Sequence, residues 1–466
     1  MPLGKATLIP VLAVALTLSL VYYPSIVLGL LSGVAVLAVA IGSGWVFYHP
    51  EYVPELLVAV AYLSLLGFNL SIGGLHLRPN MLIALVGLVW ALREKSRVPV
   101  LPLFVVLNIS YLASTLLHPN SPVFFRGLAD CFLLSVNLLQ YSLTTKFRRL
   151  DQLLRVLFCA SSAAFTVLAG LYLALAAGLL PELEKSEGSF VRLSLLDPTT
   201  GSYILFTLVA LIFYLYLFGY PYSKIFTFWC LIAHFAALAF SFARASWLAF
   251  LITFLAFWLF CLVRFPLGKA VRGTVIVVMS LIPLGVVGLW YASSETGNLL
   301  AERAQRMSLE EGTVLNRLIL WYNMLEDWRS APILGYGAHA YAKFQNDPTQ
   351  VSENYTLELL HSGGVITAGL FLLSLGLLVF RAVPRRWQDA TNRPWALPLA
   401  AGFVAMSVSA LANPAMTGGI YWIAAGLVAV LGSRKGADRS TKFACKPASP
   451  ISGSFLSFRH PGFSEP

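Results

Sequence analysis

Apolar positions in this chain run in long unbroken stretches, not in alternation. Such stretches occupy residues 7–23, 25–47, 54–72, 80–92, 98–117, 123–144, 153–179, 201–219, 225–242, 246–263, 273–292, 359–380, 395–413 and 418–432. A bilayer core takes about 20 apolar residues per helix, and only helices or closed barrels satisfy the backbone there. Continuous runs fit helices and not barrel strands. The stretch 80–92 is short, and only Pro24 separates 7–23 from 25–47. The expected fold is all-α: a polytopic integral membrane protein with about fourteen transmembrane helices and one large extracytoplasmic loop containing amphipathic helices.

The organisation follows from the gaps. Residues 1–292 form a transmembrane body of eleven spans, 293–357 the large loop, 358–432 three C-terminal spans, and 433–466 a basic tail read as disordered. Composition agrees: 58% of the 466 residues are hydrophobic, 11% are charged, and the mean hydropathy is +0.76. A soluble domain carries about 25% charged residues. The first apolar stretch follows a single Lys and leads straight into another, so it reads as a signal anchor and not as a cleaved signal peptide.

Charge sets the orientation. With the N-terminus in the cytoplasm, 22 of the 32 Lys and Arg fall on inner segments, as in Lys146, Arg148, Arg149 and Arg155, or Arg381, Arg385, Arg386 and Arg393. Basic residues favour cytoplasmic loops, so both termini are expected inside and residues 293–357 outside. The net charge of +11 then reflects topology, and no nucleic-acid partner is expected. The five cysteines, Cys131, Cys159, Cys230, Cys261 and Cys445, form no Cys-x-x-Cys pair and read as small hydrophobes. His49, His76, His118, His234, His339, His361 and His460 show no metal-ligand spacing, and no Asp-x-Asp, Walker loop or Gly-x-Gly-x-x-Gly occurs. No cofactor or metal is expected. His234 lies mid-span and reads as a hydrogen-bonded core residue.

The remaining ten basic residues stand outside against the charge rule, Arg244, Arg192 and Arg317 among them. Arg244, in Ser-Phe-Ala-Arg-Ala-Ser-Trp, sits in a very short hairpin between spans and therefore at the membrane boundary. Two readings stand: snorkelling to headgroup phosphates, or a guanidinium aimed at a buried anion. Arg317 lies on an expected amphipathic helix, 313–328, near Trp321. The stripe Leu315, Leu318, Ile319, Tyr322 and Leu325 recurs at helical spacing and is expected to pack on the membrane body. A helix lying in the membrane is the alternative. After Pro332, Gly335-Tyr336-Gly337 forms a turn suited to positive φ or to close backbone approach. Guanidinium forks bind phosphate bidentately, so arginines at the lipid boundary suit a lipid pyrophosphate.

Taken in order, these pieces resemble the O-antigen ligase and polysaccharide polymerase superfamily. The resemblance rests on SFARASW at 241–247, NRLILW at 316–321, PILGYG at 332–337 and ENYTLELLHSGGVITAGLFLL at 353–373, with VRLSLLDPTTGSY at 191–203 upstream. It covers about residues 190–380. Glu353-Asn354 stands where ligases of the family often carry His-Asn, Phe242-Ala243 precedes Arg244, and His361 stands where the family often has an acidic residue.

The resemblance implies a metal-independent glycosyltransferase of the bacterial cytoplasmic membrane, acting on the outer side in cell-envelope polysaccharide or lipopolysaccharide biosynthesis. A glycan passes from an undecaprenyl-type pyrophosphate donor to a lipid or glycan acceptor. Arg244 and Arg317 would stabilise the pyrophosphate, with Glu353, His339 or His361 taking the acceptor's proton. Arg192, Trp321, Gly335, Tyr336, Gly337 and Asn354 would line the substrate site. Loss of the His before Asn354 tilts the reading towards polymerase or a divergent transferase. A multi-span transporter or flippase is the competing reading. It calls for ionisable residues at mid-membrane, whereas Glu55, Asp130 and Glu358 border the spans.

Overall fold

The computed structural model describes most of residues 49–275, together with 312–344, 354–384 and 387–431. The expected spans 7–23, 25–47 and 273–292, the loop segments 293–311 and 345–353, and the tail 433–466 lie wholly or mostly outside the described residues.

Each of the other eleven apolar stretches contains a helix. These are α1 (Val53–Leu63), α2 (Pro79–Arg93), α3 (Leu101–Leu116), α4 (Phe124–Thr144), α5 (Leu150–Ala176), α6 (Pro198–Phe218), α7 (Lys224–Phe240), α8 (Arg244–Arg264), α10 (Tyr355–Ala382), α12 (Ala396–Ser409) and α13 (Gly419–Leu431). Two polar-flanked helices complete the set: α9 (Gly312–Trp328) and the short α11 (Trp387–Asn392). By length and apolarity, α5, α6, α8 and α10 suffice to cross a membrane, while α2, α3, α7, α12 and α13 are apolar but shorter.

The described residues are helical throughout their long elements, as expected of an all-α chain. Two small antiparallel hairpins interrupt the helices, β1 (Leu70–Ile72) with β2 (Leu75–Leu77) and β3 (Glu184–Glu187) with β4 (Phe190–Leu193). The expected span 54–72 therefore ends early: α1 and a 3₁₀ turn reach Leu66, and its last residues form β1. Short apolar runs do not distinguish strand from helix, which is how hydropathy carried the span too far.

Burial orders the bundle. Every residue of α13 is buried, and α6 is buried along most of its length. α6 packs closely on α12, α3 on α10, and α5 on α7 and α1. At Gly402 a side chain would strike the Phe206 carbonyl, so α12 and α6 approach nearly backbone to backbone. By contrast α8 turns Leu248, Leu251, Ile252, Leu255 and Leu259 outward, as an edge helix facing lipid would. His234 is buried on α7 and bonds the Cys230 carbonyl at 2.6 Å, the core role its position predicts.

Candidate functional site

Arg244 is the first residue of α8, in the middle of the expected hairpin 243–245. The hairpin is fixed locally. Ser241 Oγ donates to the Leu238 carbonyl at 2.7 Å and accepts from the Ala243 amide, while the Trp247 indole reaches back to the same carbonyl. One turn into α8, Ser246 Oγ lies 2.8 Å from Ser409 Oγ of α12, which is also 2.8 Å from Ser202 Oγ of α6. Asn413 Nδ2 donates to the Ser409 carbonyl and hydroxyl. This hydroxyl cluster ties together the ends of α6, α8 and α12 around the turn that carries Arg244. The Arg244 side chain is half-buried.

A second group forms where α10 breaks. Asn354 caps the helix, its Oδ1 accepting from the Leu357 amide at 3.1 Å. Nearly three turns on, Gly364 has φ 69° and ψ −174°, which interrupts the helical hydrogen bonds. The freed groups are taken by the Pro-x-x-Gly-x-Gly turn. The Tyr336 and Gly337 amides donate to the His361 and Ser362 carbonyls at 3.1 and 2.8 Å, and the Val365 amide donates to the Pro332 carbonyl at 2.9 Å.

α3 closes the other side of the turn. Ser114 Oγ donates to the Ser362 carbonyl at 2.6 Å and accepts from the Gly337 amide at 3.0 Å. Thr115 Oγ1 accepts from the Ala338 amide at 3.0 Å. Gly335 and Gly337 both take positive φ, 66° and 91°, as the turn reading requires. The close approach at Gly335 is to the α10 backbone, since an added side chain there would lie 2.5 Å from the His361 carbonyl oxygen.

Both candidate histidines of this region face a carboxylate. His339, itself at positive φ and 2% exposed, donates from Nδ1 to Asp130 Oδ2 of α4 at 3.1 Å, with the Tyr341 hydroxyl 3.3 Å from the same nitrogen. That bond leaves the lone pair on Nε2. His361, 1% exposed, donates from Nε2 to Asp327 Oδ2 at 2.8 Å and stacks on Tyr336, the ring centroids 5.4 Å apart. Lys343 Nζ meets the same Asp327 oxygen at 2.5 Å and lies over the Tyr336 ring. Tyr336 also donates its hydroxyl to the Asp327 carbonyl at 3.2 Å.

Burial works against the Asp327 charge. Hydrogen bonds from Lys343 and His361 and the nearby Lys343 charge outweigh it and hold the carboxyl below its ordinary value. A depressed carboxyl pKa stabilises the docked segment above about pH 4, and the contribution fades as pH falls through the folded value. Asp327→Asn is therefore expected to loosen residues 336–344. Hydrogen bonds to a charged group contribute roughly 1.5–3 kcal/mol, so amide exchange there should rise about 10- to 150-fold. The parent chain should show the same loosening in acid. Equal exchange in parent and variant would show that the turn holds without this carboxylate.

One expectation is overturned. α9 does not pack through its apolar stripe: Leu315, Leu318, Ile319, Tyr322 and Leu325 are all exposed. The inner face carries Arg317, Leu320, Trp321, Met324, Asp327 and Trp328, which are half-buried or, for Met324, fully buried. The periodicity is as read from the sequence but the helix is turned the other way: it packs on α10 and on Ala340–Phe344 through its opposite face. Arg317 and Trp321 thereby face the protein.

The structure thus gathers His339, His361, Gly335, Tyr336 and Gly337 at the α10 break, with Asn354 capping the same helix, while Arg244 belongs to the α6–α8–α12 cluster and Arg317 to α9. Arg192 lies in β4, and Glu353 is outside the described residues. Asp327, Ser114 and Thr115 were not singled out in the sequence, and Asp130 was noted only as a membrane-border acid. Each finds its partner far along the chain, up to 248 residues for Ser114 and Ser362, and a single sequence carries no signal for such pairs.

Four described helices are long and apolar enough to cross a membrane, and the broken one among them, α10, has the segment Pro332–Ala338 sewn into its break, which together fit a membrane protein carrying a composite site. Residues 226–372, about a third of the chain, match a family model described as O-antigen ligase. This match supports membership of the O-antigen ligase family, and with the apolar helices it supports an integral membrane protein. No curated protein matches the chain.

Proposed function

We propose that the chain transfers a glycan from an undecaprenyl-type pyrophosphate donor to an acceptor hydroxyl at the outer face of the cytoplasmic membrane, as ligase or polymerase. The observation that carries this reading is the extent of the family match: Arg244, Arg317, the Gly335–Gly337 turn and the start of α10 all fall within residues 226–372. In the reaction the acceptor oxygen bonds to the anomeric carbon. The bond from that carbon to the pyrophosphate oxygen breaks, and the lipid pyrophosphate leaves with the electron pair. Arg244 and Arg317 converge on the leaving group and offset its charge, so fixed guanidinium groups do electrostatically what a bound cation would do elsewhere. Arg192 is a third candidate for the same anion.

The acceptor's proton goes to Glu353, His339 or His361. His339 is supported by its carboxylate partner, since Asp130 fixes the ring with Nδ1 as donor, the orientation a carboxylate gives a histidine base. His361 has Nε2 engaged by Asp327 and its ring under Tyr336, which suits holding the turn. Transporters also break membrane helices, but they leave the freed backbone groups to substrate. At the α10 break those groups are occupied by Pro332, Tyr336, Gly337 and Ser114, which favours the transferase.

The test is the pool of lipid-linked glycans after deletion of the gene. Long chains stranded on the carrier identify a ligase, and single repeat units a polymerase. An unchanged pool in cells that make the polysaccharide would overturn the proposal.

A further inference from the structure

The outward stripe of α9 needs an apolar neighbour, and the level of the helix relative to α10 says which. The 28 residues of α10 span about 42 Å at 1.5 Å per residue, against a hydrocarbon core of about 30 Å. One end is marked by exposed Phe380 beside exposed Arg381. Counting back about 20 residues, the number that fills the core, reaches the break at His361–Gly364. The break thus stands at the opposite boundary of the hydrocarbon.

Segment 332–334 is fixed there by the bond between the Val365 amide and the Pro332 carbonyl. The Trp328 indole donates to the same carbonyl at 3.1 Å, which pins the C-terminal end of α9 to the same level.

Exposed apolar residues stand on both sides of this joint. Ile333 and Leu334 are exposed after α9, and Val365 and Ile366 are exposed just past the break on α10. From Gly312 to Leu325 the only charged residue is Arg317, and it lies on the protein-facing side.

We infer that α9 is an interfacial helix whose stripe of Leu315, Leu318, Ile319, Tyr322 and Leu325 is seated among the acyl chains of the adjoining leaflet. Its partner is the bilayer itself. The arrangement sets Arg317 at headgroup height while turning it towards the protein.

The test uses the full chain in nanodiscs of phosphatidylethanolamine and phosphatidylglycerol. Nitroxide labels are placed at Leu318→Cys, Ile319→Cys and Tyr322→Cys, with Thr391→Cys on exposed polar α11 as the aqueous reference. Signals are read above that of the parent chain treated in the same way, which corrects for its own cysteines. Oxygen should relax the three α9 labels several-fold more effectively than a water-soluble nickel chelate, and the order should reverse at Thr391→Cys. Nickel access on α9 equal to that at Thr391→Cys would place the stripe in water and overturn the inference. Protection from both reagents would also overturn it, because the stripe would then be covered by another segment of the chain or by a second copy. None of these readings depends on glycan transfer, so the inference and the proposed activity can fail separately.

Discussion

Glycan transfer by Arg244→Ala and by Arg317→Ala is expected to fall about 30- to 1000-fold at unchanged protein level, the equivalent of roughly 2–4 kcal/mol of transition-state stabilisation per lost contact. Arg244 opens α8, and the hydroxyl cluster one turn on holds that helix end. Arg317 projects from the face of α9 turned towards the protein. Substitution by Lys keeps the charge but loses the planar fork, so Arg244→Lys and Arg317→Lys should stay well below the parent. The assay is product formation from a lipid pyrophosphate donor at matched expression. Near-normal transfer by both Ala variants would return Arg244 to the snorkelling role and remove the leaving-group mechanism.

The second large effect belongs to Gly364. Its φ of 69° with ψ of −174° is backbone open to glycine and costly for any other residue. A Cβ built there would lie 2.0 Å from the Ile333 carbonyl oxygen and 2.6 Å from the Leu334 amide nitrogen. Both obstacles are backbone, so no rotamer relieves them. Gly364→Ala should therefore cost at least about 3 kcal/mol, combining backbone strain with the loss of the hydrogen bonds across the break.

The comparison is internal to the same helix. Gly369 and Gly376 have open space around an added Cβ, and alanine favours a helix over glycine. Gly369→Ala and Gly376→Ala should then be neutral or slightly stabilising. Thermal unfolding and protease cleavage between residues 329 and 344 read the difference. If Gly364→Ala behaves like Gly369→Ala on both, the break does not depend on glycine.

Hydropathy located the helices well because a membrane core demands long apolar runs. It shortened them where polar residues do local work. The stretch 359–380 begins four residues late because Asn354 caps α10 and Glu358 is buried in its first turn. It also missed the break in α10, since Gly363 and Gly364 sit in an apolar run that scores as continuous. The five α9 positions were correctly grouped and placed on the wrong side. A periodic pattern says which residues share a face. In a soluble protein that face can turn only to the core, whereas at a membrane both protein and lipid are apolar neighbours. The glycine turn was legible from composition, but its partner was not. Ser114 and Thr115 are ordinary residues until α3 stands beside Gly337 and Ala338.

The sewn break also fixes an order of assembly. Residues 332–338 leave the ribosome after α3 but before α10, so their Ser114 and Thr115 partners already exist while their other anchors do not. A nascent chain ending near residue 344 holds half of the seam. Docking is completed only when His361 to Val365 arrive and the lower part of α10 enters the bilayer. Insertion of that one helix thus closes this seam before the body is complete: α12, which brings Ser409 to the Arg244 turn, and the fully buried α13 still have to follow.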